Sequence, residues 1–85
     1  MPYIRKEFRQ ALTPVASKPI GPGELNFVLT TVCNQYIKDG GLSYASVNDV
    51  IGALECAKLE MYRRQVAPYE DKKKEENGDV YSVGG

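Results

Sequence analysis

Val47-Asn-Asp-Val-Ile-Gly-Ala-Leu-Glu-Cys-Ala-Lys-Leu-Glu-Met-Tyr-Arg-Arg-Gln-Val-Ala67 is the most strongly patterned part of the chain. Val47, Val50, Ile51, Leu54, Ala57 and Met61 recur at intervals of three and four, the repeat of a helix with one apolar side. Leu59, Tyr62 and Val66 widen that side. The spacing predicts a helix over 47–67, about 20 residues long, which is the longest element. Pro68 either ends it or, in the permitted first position, opens another turn over Tyr69-Glu-Asp-Lys-Lys-Lys-Glu-Glu76. Ahead of the helix, Ser43-Tyr-Ala-Ser46 offers two capping side chains. Asp49, three residues beyond Ser46, favours Ser46 as the cap in an Asp variant of the capping box.

Moving outward, Leu25, Val28, Leu29, Val32, Tyr36 and Ile37 form a second apolar stripe and predict a helix over 23–39. Pro22 and Glu24 suit its beginning, and Gly40-Gly41 its end. Earlier still, Ile4, Phe8, Ala11 and Leu12 predict a short helix over 4–12, too short to stand in water without a surface to lie upon. Thr13 to Gly23, with three prolines and two glycines, reads as a connector. The charged run after Pro68 reads as a solvated helical extension. Asn77-Gly78-Asp79 reads as a turn leading to a flexible or partner-bound tail. The expected fold is therefore all-α: a small antiparallel helical hairpin with a short N-terminal helix and a charged C-terminal extension. It forms a single domain over 1–81, with a flexible tail at 82–85. Two helices share only one seam, so apolar surface on the outer side of helix 47–67 needs either the first helix or another chain.

Length supports the same concern. An 85-residue chain has room for one domain, which removes only roughly 60–65 % of its unfolded surface from water. Self-association is the expected supplement. A metal is not: two cysteines and no histidine cannot supply the ligands of a structural zinc site. Cys33 and Cys56 form no CxxC pair and lie among apolar residues, as reduced core or interface cysteines do. Eleven basic residues balance eleven acidic ones, which gives no broad electrostatic reason to expect nucleic acid as a partner. No apolar run reaches the length of about 18 that a membrane span needs, and Met1 to Arg9 leads into no signal-peptide core. A soluble cytoplasmic protein is expected.

Catalytic chemistry finds little footing. Without histidine there is no Ser-His-acid or Cys-His constellation in one chain. Gly21-Pro-Gly23 lacks the rest of a phosphate loop, and the carboxylates have no specific metal pattern. The expectation is a protein that is not an enzyme, with no catalytic residue, cofactor or metal.

Two groups of polar side chains stand beside the apolar face. On helical geometry Glu55 falls about 80° and Lys58 about 20° from Val47, both within the apolar sector. They read as an internal or intersubunit ion pair, as part of a small ligand pocket with Tyr62, or as long side chains snorkelling outward. Glu60 faces Arg63 and Arg64 at i+3 and i+4. Those arginines, interleaved with Tyr62 and Tyr69, read as a solvated face, a protein interface, or a site holding phosphate through forked donors and stacking a base. The candidate ligand or interface residues are thus Glu55, Lys58, Tyr62, Arg63, Arg64 and Tyr69.

The segments Gly23-Glu-Leu-Asn26, Gly52-Ala-Leu-Glu-Cys-Ala-Lys-Leu-Glu60, Tyr62-Arg-Arg64, Pro68-Tyr-Glu70 and Asn77-Gly-Asp-Val-Tyr81 together resemble a family of short uncharacterised proteins of bacteriophages and prophage-containing bacterial genomes. The resemblance covers residues 2–81. It implies a phage source and a place in the cytoplasm of the bacterial host, and it carries over no site residues. The leading expectation is a non-enzymatic helical oligomer or interaction module that meets itself or a host or phage protein. The alternative is a nucleotide-binding or nucleotide-sequestering protein with an intersubunit pocket, an anti-defence role.

Overall fold

The computed structural model describes residues 2–12 and 18–82. Helix α1 spans Lys6–Leu12, α2 spans Gly21–Gly40 and α3 spans Tyr44–Met61. A π-helical turn over Tyr62–Val66 then joins α3 to α4, Ala67–Asn77, so that the last three elements form one continuous rod. The described residues contain no strand, and the fold is all-α, as the periodicities predict.

Helix α2 begins two residues earlier than the stripe suggests. Pro22 fills a first-turn position that has no intrahelical bond to lose, and the Glu24 carboxylate reaches back to accept a hydrogen bond from the Ile20 N–H at 3.0 Å. At the other end Gly41 takes φ 84°, a conformation open to glycine, and stops the helix.

The start of α3 corrects the expected cap. Ser43, not Ser46, is the N-cap: its Oγ accepts from the Ser46 N–H at 3.1 Å. Ser46 is the third helical residue, and its Oγ accepts from the Ser43 N–H at 3.0 Å while donating to the Gly41 carbonyl at 2.8 Å. Moving the cap to Ser43 uses both serines reciprocally, whereas a cap at Ser46 would leave Ser43 idle. The connector is thereby shortened to Gly41–Ser43, and α3 gains three residues over the predicted start at Val47.

At Pro68 the helix does not end but continues through α4, which settles the choice between a stop and a further turn. Ahead of the proline the Ala67 N–H bonds to the Tyr62 carbonyl, a residue farther back than in an α-helix. This wide turn accommodates a residue that lacks an N–H and would collide with the carbonyl four positions back. Gly78, at φ 92°, closes the rod by donating to the Lys74 carbonyl at 2.8 Å, so Asn77 belongs to α4 and the chain bends at Val80 and Tyr81, beyond the turn expected at Asn77-Gly78-Asp79. Residues 13–17, within the expected proline-glycine connector, and 83–85, within the expected flexible tail, lie outside the described residues.

The packing of these elements is sparse. Helices α2 and α3 come together beside their connecting turn, where Cys33 and Ile37 on one and Val47 and Val50 on the other are half-buried. The Tyr36 hydroxyl donates to Asp49 Oδ2 at 3.0 Å across the same junction. No α1 Cα lies within 8 Å of α2, α3 or α4, so the expected cover over the hairpin is not formed. Seven residues bring too short an apolar edge to hold α1 against the rod. Among the described residues no apolar side chain is buried, and Ser46, at 7 % exposure, is the one buried residue. Cys33 is half-buried and Cys56 exposed, both as free thiols, so neither is a core cysteine within one chain.

Two numbers express this openness. A compact folded chain of this length exposes about 5000 Å², whereas this one exposes 7904 Å². Its radius of gyration is 17.5 Å, against about 12 Å for a globular domain of equal length.

Candidate functional site

The six candidate residues do not converge on one pocket. Lys58 Nζ meets Glu55 Oε2 at 3.2 Å, with side chains 69 % and 54 % exposed, so the pair is an open surface bridge and not an internal one. An exposed i, i+3 pair contributes a few tenths of a kcal/mol at most. One turn further on, Arg63 Nη2 donates to Glu60 Oε1 at 2.8 Å.

Glu60 is more enclosed than its neighbours because the Tyr3 hydroxyl also donates to Oε1. The hydroxyl of Tyr3, with Arg63 second, holds the Glu60 carboxyl below its ordinary value, while that carboxylate raises the Tyr3 phenol above its own. Arg63 is held more firmly protonated by Glu60. Arg64 adds positive charge beside this cluster and lowers Glu60 further. The chemical content is a clasp: the N-terminal segment is pinned to the end of α3 by a charged-acceptor hydrogen bond. Sequence reasoning paired Glu60 with the arginines but missed Tyr3, because 57 positions separate the partners and no periodicity links them.

The π turn redistributes the tyrosines. In an unbroken α-helix Tyr62 and Tyr69, seven residues apart, would sit within about 20° of each other. The surplus residue makes their spacing equivalent to six, which turns them about 120° apart. Tyr69 instead lies under Lys73, whose Nζ is 5.6 Å from the ring centre, while Tyr62 donates to Glu70 Oε1 at 3.0 Å. Tyr62 and Glu70 are eight apart, and the same surplus brings them into phase as an effective spacing of seven. The Glu70 carboxylate raises the Tyr62 phenol above its ordinary value. The two tyrosines expected beside Arg63 and Arg64 are thus divided between two faces.

Two shallow grooves accompany these residues. One, of about 460 Å³, lies between α4 and the returning tail and is bordered by Tyr62, Glu70, Lys73, Lys74, Val80 and Tyr81. The other, of about 470 Å³, lies at the α2–α3 turn and includes Tyr36, Asp39 and Asp49. Among the described residues no group of three or more cysteine, aspartate or glutamate side chains could hold a metal ion. Among the described residues no helix is long and apolar enough to cross a membrane.

The fold and these surfaces define a class: a small all-α chain that exposes its apolar stripes and pairs some of its charged side chains in surface bridges. Over residues 1–80 the chain matches the family described as Domain of unknown function (DUF6899), and it belongs to that family. No curated protein and no solved structure matches it.

Proposed function

We propose that this protein is a non-enzymatic, self-associating helical module whose finished folded state is an assembly, used for protein interaction in the bacterial cytoplasm within a phage programme. The observation that carries the reading is the surface excess: about 2900 Å² more than a compact chain of equal length exposes. Stable protein interfaces bury about 1200–2000 Å² in total, and obligate ones about 2000–5000 Å². Two copies together carry about twice that excess, about 5800 Å², enough for an obligate assembly in which the interface resembles a divided core.

The polar residues support an interaction surface over a nucleotide pocket. Lys58 and Arg63 each already hold a carboxylate, and Tyr62 and Tyr69 lie on different faces, so these four residues form no common cradle. Sedimentation equilibrium from low to high micromolar concentration, with circular dichroism at each concentration, tests the reading. The expected result is a mass above one chain, with helicity that falls on dilution. A fully helical monomer at every concentration would overturn it.

A further inference from the structure

We infer that the surface through which the chain associates is the open mouth between α2 and α3, and that its occupant is the same mouth of a second copy; this rests on the self-association proposed above. Tyr36 touches α3 at Asp49 and thereby fixes which way its stripe points. Leu25, Leu29 and Val32 lie eleven, seven and four positions before it, on the same side of α2. On α3 the half-buried Val47 and Val50 begin a stripe that Ile51, Leu54 and Met61 continue. The two stripes meet at the turn and are left uncovered beyond it: Leu25 is 48 %, Leu29 47 % and Leu54 41 % exposed.

A second copy suits this mouth for two reasons. The surface excess of two chains, about 5800 Å², is enough for an obligate interface, and two identical mouths placed about a twofold axis cover each other's stripes in one operation, because an isologous contact uses one patch on both partners. Lys58, which projects within the α3 stripe, is already paired with Glu55 at 3.2 Å, so the covering takes in a neutralised pair and not a lone charge.

The test compares Leu54→Ala and Leu29→Ala with Val80→Ala, which removes an apolar side chain of 89 % exposure from the tail. Sedimentation should give a dissociation constant raised at least tenfold for each leucine variant and changed less than twofold for Val80→Ala. Alanine keeps helix propensity, and each variant still associates at high concentration, so loss of affinity is separable from loss of folding. If the wild-type chain associates and both leucine variants do so equally well, the mouth is not the interface and the broader proposal stands. If the wild-type chain is monomeric, or monomeric until a different protein binds it, the second-copy assignment fails together with its premise.

Discussion

Ser46→Ala should destabilise the protein more than Ser43→Ala, although Ser43 is the N-cap. Removing the Ser43 hydroxyl takes one acceptor from the Ser46 N–H, and capping losses of this kind cost typically about 1 kcal/mol. Removing the Ser46 hydroxyl takes an acceptor from the Ser43 N–H at 3.0 Å and a donor from the Gly41 carbonyl at 2.8 Å, at the one buried residue described. Groups left without a partner at such a site cost about 1–3 kcal/mol, so about 2 kcal/mol is expected. With roughly 4–8 °C of Tm per kcal/mol for a chain of this size, the shifts are about 8–16 °C for Ser46→Ala and about 4–8 °C for Ser43→Ala. The double variant should lie below Ser46→Ala alone, since Ser46→Ala keeps the bond from the residue-46 N–H to the Ser43 hydroxyl and the double variant loses it as well. Thermal unfolding by circular dichroism at one fixed chain concentration gives the comparison, because association makes Tm depend on concentration. Equal shifts, or a larger one for Ser43→Ala, would refute the account of the turn.

The Tyr3–Glu60 clasp should be bounded by pH on both sides. The Glu60 carboxyl is held below its ordinary 4.5, so its contribution is complete above that value and lost as pH falls through the depressed one; the Tyr3 phenol is held above 10.0, so its contribution is complete below that value and lost as pH rises through the raised one. In Tyr3→Phe the carboxyl titration of Glu60, followed by carbon NMR, should move upward, and no movement would remove the clasp from the description. Deleting Gln65 should lower Tm, because without the surplus residue Pro68 enters a regular α-turn at a cost of about 3 kcal/mol. Combining that deletion with Pro68→Ala should restore Tm, with Tyr62 still in phase with Glu70; a deletion without effect on Tm would show that the π turn does not serve the proline.

The helical class was legible because Leu25 to Ile37 and Val47 to Met61 repeat with the period of an α-helix, and that period needs no partner to be read. The glycines and Pro22 punctuated the chain at the right places for the same local reason. Three things were not legible. The choice between Ser43 and Ser46 depends on two reciprocal hydrogen bonds that either serine could have begun. The π turn adds a single residue, and nothing in the sequence marks it, so Tyr62 and Tyr69 were grouped around the same arginines although they diverge. Tyr3 and Glu60 meet across 57 positions, a distance over which pattern carries no information. Of the six candidate residues, the sequence paired Glu55 with Lys58 correctly in space but set that pair in a packed sector that a single chain does not possess.

The sparseness of contacts between distant parts of the chain bears on how the protein is made. Almost all of its structure is local, so each helix can acquire its shape on the microsecond scale with little entropy spent closing large loops. In the proposed assembly the slow step is then the encounter of two polypeptides. Synthesis rate and copy number, more than the order in which segments leave the ribosome, would set how much finished protein a cell contains.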